Sequence, residues 1–445
     1  MALTHLRNIR AHSSGGGDSD DAEEGGAVAR RKVRPMGSWQ VHVLSTLPLK
    51  AMSYYWGRFN EIPLPRPLRS PGFKLYSYIF GVKLDEVEKD LTEYRNLAEF
   101  FYRRLKPGAR PIDGRLEVVV SPADGKVLQF GEVAGGGRVE QVKGMSYSLD
   151  ALLGAQGAPG AGTANRQIGS ERATATTTTL GTGDGEDIAR VTSDEEFANV
   201  NGISYTLPSL LSGDGTTHSS PQTQDQQDAS IEPSDSASVT SVGMDLTKGV
   251  VSSWWTGDVS SRKKRLYFAV VYLAPGDYHR FHSPVNWVAE QRRHFAGELY
   301  SVSPYLQNRL PNLFTLNERV VLLGRWKHGM FSMTPVGATN VGSIKIHFDK
   351  ELRTNSLTHD ATNAGKTGLP FAEATYKGSS ALLGGHPVVK GAEVGGFNLG
   401  STIVLVFEAP GGGGTAADGK GGGFKFLVKR GQRIKVGEAL GIVDL

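Results

Sequence analysis

Apolar residues change their period along this chain, and the changes mark out its parts. Over residues 84–105 the apolar positions Leu84, Val87, Leu91, Tyr94, Leu97, Ala98, Phe101 and Leu105 recur at close to a helical period, which predicts one or two amphipathic helices. Lys106-Pro107-Gly108 ends them, because proline cannot continue a helix. Upstream, residues 39–56 alternate loosely and are interrupted by Pro48, while Pro63, Pro65, Pro67 and Pro71 predict a stiff, extended connection. Residues 73–80 are rich in aromatics and flanked by basic groups. Segments of this kind either pack on a core or lie at a lipid interface with their rings at headgroup level.

Beyond residue 112 the pattern shortens to apolar, β-branched runs separated by Gly, Pro and Asp turns. Residues 116–120, 265–273, 317–324, 331–338 and 403–407 read as strands, and residues 424–443 repeat short apolar strands between glycine turns. The expected fold class is α+β: a β-rich sandwich or barrel-like core, preceded by N-terminal amphipathic helices and broken by low-complexity insertions. The insertions are residues 155–262, rich in Gly, Ala, Thr, Ser, Asp and Gln, and the shorter polar stretches 355–369 and 411–423. Residues 1–38 read as a disordered tail, 39–111 as a helical segment, and 112–445 as the β-rich domain.

Composition narrows the chemistry. A chain of 445 residues with 39% hydrophobic content has room for a sizeable core. Its net charge of +4 is small for this length, and no basic stripe interleaved with aromatics is present, so nucleic acid is not an expected partner. The absence of cysteine excludes disulfides, thiolate catalysis, iron–sulfur clusters and cysteine zinc sites. No apolar run approaches the roughly 18–20 residues that span a bilayer as a helix. Acidic residues among the first 34 confine any resemblance to a transit peptide to the first dozen positions.

What remains is serine, histidine and carboxylate chemistry, and three places could supply it. Asp124 lies in Ser121-Pro122-Ala123-Asp124-Gly125, where Asp-Gly is also an ordinary hairpin turn. His279 and His282 stand three apart in Tyr278-His279-Arg280-Phe281-His282-Ser283-Pro284. The other histidines are scattered without ligand spacing, so no metal site is expected. Ser401 follows Gly400 at the entrance to a buried strand, where glycine offers an unhindered carbonyl and backbone freedom. Singly, each reads as a turn, a structural histidine or a loop junction. Together, acid, imidazole and hydroxyl are the parts of a base-activated nucleophile.

At these residues the chain resembles the phosphatidylserine decarboxylases, specifically their mitochondrial type. The matching pieces are residues 121–127, 141–153, 266–348 and 395–410, with 39–111 upstream. The resemblance implies a self-processing enzyme in which Asp124 orients His282, and His282 takes the proton of Ser401 as its oxygen attacks the Gly400 carbonyl. Cleavage between 400 and 401 then leaves a β chain 1–400 and an α chain 401–445, held as a heterodimer, with a covalent pyruvoyl group made from Ser401. That group would condense with the amine of phosphatidylserine as a Schiff base and act as the electron sink for loss of CO2, giving phosphatidylethanolamine; no ordinary side chain can do so. His279 would serve the decarboxylation. The lipid substrate gives the aromatic, basic segments of 39–80 a purpose as a membrane contact. The resemblance also implies the mitochondrial inner membrane, although neither a clear targeting peptide nor a spanning helix is evident ahead of Trp39, which leaves peripheral association open. Two other readings use the same residues: a serine hydrolase with Ser401, His282 and Asp124, which lacks a Gly-x-Ser-x-Gly elbow, and a non-enzymatic, membrane-associated β scaffold.

Overall fold

A computed structural model describes residues 49–133, 137–142, 145–154, 184–203, 264–307, 309–339, 343–356, 370–380, 382–398, 401–411 and 423–444. Its strands are β1 (Val118–Val120), β2 (Gly125–Glu132), β3 (Arg138–Val142), β4 (Met145–Ser148), β5 (Lys264–Leu273) and β6 (Arg280–His282). They continue as β7 (Trp287–Phe295), β8 (Arg319–Trp326), β9 (Gly329–Val336), β10 (Ser343–Ile346), β11 (Ala372–Thr375) and β12 (His386–Val388). The last are β13 (Glu393–Asn398), β14 (Ser401–Pro410), β15 (Gly423–Phe426), β16 (Arg433–Ile434) and β17 (Ala439–Asp444).

The largest sheet runs β11-β7-β8-β9-β14-β5-β2-β16, with β12 also on β7. Two three-stranded sheets, β10-β13-β6 and β1-β17-β15, accompany it. β14 lies near the middle of the large sheet, paired with β5 from Ser401↔Leu273 to Pro410↔Lys264 and with β9 from Thr402↔Val336 to Phe407↔Phe331. Alternate residues of β14 enter different cores. Ile403, Leu405 and Phe407 join one that includes Phe281, Ile344, Val394 and Phe397 of the small sheet. Val404 and Val406 join another with Phe268, Val270, Leu313 and Phe314. A strand covered on both faces has no polar side to display, which is why β5 and β14 read as continuous apolar runs.

The fold therefore agrees with an α+β, β-rich core, and the differences from expectation are local. Pro67 and Pro71 lie within a helix, not an extended connection: α1 (Leu49–Asn60) is followed by α2 (Arg66–Phe80). Pro67 sits in the first turn, where no intrahelical N–H bond is lost, so only Pro71 interrupts the ladder. Residues 84–105 keep little regular helix beyond α3 (Leu97–Phe101). Side chains compete for the backbone there: Asp90 accepts from Thr92 N at 2.8 Å and Asn96 from Glu99 N at 2.8 Å. The periodic residues Val87 and Tyr94 nonetheless bury together, with Phe100, against Phe73. Asp124-Gly125 closes no hairpin, since β1 pairs with β17 while β2 pairs with β5. After α4 (Leu149–Leu153), the long insertion contains α5 (Asp184–Asn201), which seats Ala198 and the following Ile203 against Val288 and Leu383. The expectations on residues 1–38, and those on 355–369 and 411–423 beyond their edges, fall outside the described residues.

Candidate functional site

Two neighbouring strand connections bring the candidate residues together. β5 ends at Leu273 opposite Ser401, and the chain then turns through Asp277 and Tyr278 into β6. β6 pairs with β13, Gly396 opposite Arg280, and the Phe397 N–H donates to the His279 carbonyl at 2.9 Å. The end of β13 and the start of β14 thus both lie against the segment that joins β5 to β6. Leu399 and Gly400, which join β13 to β14, are outside the described residues.

Ser401 opens β14 on the side of the sheet that also carries Ile403 and Leu405, toward the core shared with the small sheet. It is 1% exposed, and its Oγ has no hydrogen-bond partner among the described residues. The adjacent Thr402 Oγ1 is likewise buried and unpartnered. Leaving such hydroxyls unpaired costs stability, and groups of this kind in a native fold commonly belong to a chemical site.

His279 is fully buried, with its ring centroid 4.0 Å from that of Phe101. Its Nδ1 donates to the Asp277 carbonyl at 2.8 Å, which leaves Nε2 as an unprotonated nitrogen without a partner. Burial, reinforced by the nearby Arg103 cation, lowers its pKa to about 3. At neutral pH it is a base, not an acid.

His282 has both nitrogens engaged. Nδ1 donates to the Gly391 carbonyl at 2.8 Å, and Nε2 accepts from the Tyr278 hydroxyl at 3.1 Å. Burial lowers its pKa, opposed by the Gly391 bond and by the charges of Glu393 and Asp124.

Asp124 is positioned beside this pair without bonding to it. Its carboxylate accepts from Arg110 Nε at 2.8 and 3.0 Å, from Arg110 Nη2 at 2.5 Å, and from the Val436 N–H at 2.9 Å. Arg110 also binds Glu86 at 2.7 Å. The link from the Asp124 turn to His282 is through the backbone, where His282 N donates to Pro122 O at 2.8 Å. In the described residues, therefore, Gly391 and Tyr278 set the imidazole, and Asp124 reaches it as a field.

Among the described residues no cluster of three or more His, Asp or Glu could hold a metal ion. His294 is a structural histidine, bonded to Glu318 at 2.9 Å. His347 bonds Tyr102 at 2.7 Å and faces Glu393 at 3.2 Å.

The model of the phosphatidylserine decarboxylase family matches residues 97–179 and 183–442. The chain belongs to the phosphatidylserine decarboxylase family. It is similar to phosphatidylserine decarboxylase proenzyme 1, mitochondrial, of Schizosaccharomyces pombe, 48% identical over 93% of this chain and 85% of that protein. The proteins of that name from Candida albicans, at 46% over 92% of the chain and 71% of the relative, and Saccharomyces cerevisiae, at 44% over 95% and 78%, are comparably similar.

Within this member of the decarboxylase family, sequence reasoning passed over Tyr278, Arg110 and Gly391. Tyr278 directly precedes His279 and could have been suspected from that adjacency. Arg110 and Gly391 carried no signal, because their contacts arise between segments far apart in the chain.

Proposed function

We propose that this chain is a phosphatidylserine decarboxylase proenzyme that cleaves itself between Gly400 and Ser401 and then converts phosphatidylserine to phosphatidylethanolamine and CO2. The observation that carries the proposal is the buried, unpartnered Ser401 hydroxyl at the head of β14, beside the turn that bears His279 and His282. A hydrolytic serine would need access to an external ester. A serine sealed from solvent has its own preceding carbonyl as the nearest electrophile.

In the first reaction, Ser401 Oγ bonds to the Gly400 carbonyl carbon while the Gly400–Ser401 C–N bond breaks and the nitrogen takes up a proton. His282 is the base for the hydroxyl proton, received through the Tyr278 hydroxyl that already touches its Nε2. Asp124, anchored by Arg110 and Val436 N, favours the imidazolium that forms. Loss of the Ser401 α-proton and breakage of its Cβ–Oγ bond then release the β chain 1–400, with Oγ retained in the new carboxylate. Water displaces the nitrogen as ammonia, leaving a pyruvoyl group at residue 401.

The local groups fit that outcome. Among the described residues the Ser401 hydroxyl holds no bond that its loss would break, and His279 Nε2 is without a partner and open to a new polar group. The pyruvoyl carbonyl supplies an electron sink reached through the substrate amine. His279, neutral and with Nε2 open, is placed to relay the proton that reaches the substrate carbon once CO2 has left. The α chain 401–445 stays with the β chain because β14 is hydrogen-bonded on both sides, to β5 and β9.

Contact with the bilayer falls to α1 and α2. No helix among the described residues is long and apolar enough to cross a membrane. Tyr55, Phe59, Leu75, Tyr78 and Ile79 are all exposed, Tyr78 by 88%, and Arg58, Arg66 and Lys74 share their helices. Apolar rings beside basic groups suit the surface of an anionic bilayer. Location at the mitochondrial inner membrane is proposed from the relatives, whose names state that they are mitochondrial.

Intact mass after expression tests the reading. The expected products are a fragment ending at residue 400 and a blocked fragment 401–445, with CO2 released from phosphatidylserine. An intact chain whose Ser401 can be acylated overturns it.

A further inference from the structure

The face of the small sheet turned away from the core carries a cationic row. Arg280 of β6 and Lys345 of β10 flank Gly396 of β13 at the same cross-strand position. Glycine is required there, because a Cβ would come within 2.5 Å of Tyr102 Cε2. The Tyr102 ring lies over this row, its centroid 4.4 Å from the Arg280 guanidinium carbon and 5.1 Å from Lys345 Nζ. A cavity of about 630 Å³ opens at this place, and its wall includes Tyr94, Arg103, Arg280, Lys345 and Asn398. Basic side chains outnumber acidic ones in the lining. Asn398 ends β13, three residues before Ser401.

These cations are unequally balanced. Arg280 is paired with Glu393 at 2.5 Å. Arg103 is only 3% exposed, and its Nη2 donates to the Gly276 carbonyl at 2.9 Å and the Asp277 carbonyl at 3.1 Å. Its Nε and Nη1 have no acceptor among the described residues. The Lys345 ammonium makes no hydrogen bond or ion pair among the described residues; burial lowers its pKa, opposed by the charge of Glu61. A buried guanidinium with two idle donors is costly unless an anion completes its set.

We propose that this cavity binds the phosphodiester of the substrate headgroup, with Arg103 and Lys345 supplying the donors. The inference rests on the decarboxylase reading and gives that site its recognition element. Chemistry favours the phosphodiester over the substrate carboxylate. The phosphodiester keeps its charge throughout the reaction, whereas a cation clamped on the carboxylate would stabilise the ground state and oppose CO2 loss. Geometry supplies the connection to the reacting centre: the Asp277 carbonyl that accepts from Arg103 also accepts from His279 Nδ1.

The experiment uses the processed enzyme and its Lys345→Gln and Lys345→Arg variants, with soluble dihexanoyl phosphatidylserine as substrate and inorganic phosphate and glycerol 3-phosphate as inhibitors. Lys345→Gln is expected to cleave itself as the wild type does, to keep kcat within about twofold and to raise KM on the order of tenfold. Lys345→Arg should recover most of that loss. Both inhibitors should compete with the lipid and weaken in Lys345→Gln by a similar factor. Unchanged KM and inhibition constants, in Lys345→Gln and in a self-cleaving Arg103→Lys variant alike, overturn the proposal. So does phosphate inhibition that does not compete with the lipid. Failure of the underlying reading looks different, since the wild-type chain would then remain uncleaved.

Discussion

Burial of His279 has a consequence for stability that can be measured without any turnover. The folded-state pKa of about 3 lies below the ordinary histidine value of about 6.5, so below pH 6.5 the unfolded chain binds a proton at this site that the folded chain refuses. Stability is therefore fully present above pH 6.5 and is lost as pH falls toward 3. Between pH 7 and pH 5 the unfolded state gains most of one proton and the folded state almost none, which costs about 2 kcal/mol. The perturbation is His279→Gln, made in a Ser401→Ala chain so that both proteins remain uncleaved and comparable. Urea unfolding at pH 7 and pH 5 gives the loss for each. The parent should lose about 2 kcal/mol more than the glutamine variant over this interval, because the contributions of His282 and the carboxylates are common to both and cancel. A difference below about 0.5 kcal/mol would refute the claim that His279 is held neutral by burial, and with it the assignment of Nε2 as a base at neutral pH.

Other substitutions separate the roles. Ser401→Ala and His282→Ala should remain single chains on a denaturing gel, whereas His279→Ala should cleave yet lose on the order of a hundredfold in decarboxylation; equal processing defects in both histidine variants would remove the division of labour. Tyr278→Phe deletes the hydroxyl on His282 Nε2 and should slow self-cleavage roughly tenfold, about the worth of one hydrogen bond, read as the half-time of fragment appearance. Arg110→Met leaves the buried Asp124 carboxylate with the Val436 N–H and no cation, while Glu86 keeps Lys435, and should lower stability by about 3 kcal/mol, visible in urea unfolding. Leu75→Ser with Ile79→Ser should reduce binding to anionic vesicles by roughly tenfold while leaving self-cleavage unchanged.

Much of the molecule was legible along the chain, for reasons that differ by segment. The runs that became β5 and β14 were recognisable because both faces of each strand are buried, so no polar alternation dilutes the signal. Residues 84–105 misled because a helical spacing of apolar groups also serves a folded loop that gathers them into one cluster, and only Asp90 and Asn96, each bonding a backbone N–H beyond it, hinted at the outcome. Pro67 and Pro71 misled in the opposite sense, since one cost a hydrogen bond and the other did not. Asp124-Gly125 has the composition of a hairpin turn, yet it sends its two strands to different sheets.

The sequence by itself determined the kind of chemistry available: a serine after glycine at a strand entrance, two histidines three apart, an aspartate in a tight turn and no cysteine. Those features depend on residue identity and on spacings of a few positions. Only the tertiary structure decided that Asp124 is held by Arg110 and Val436, that Gly391 and Tyr278 set His282, and that Arg103 and Lys345 line one cavity beside Asn398. Apart from the Tyr278–His282 pair, those contacts join segments from 14 to more than 300 residues apart. They follow from strand register and sheet packing, which no local pattern encodes.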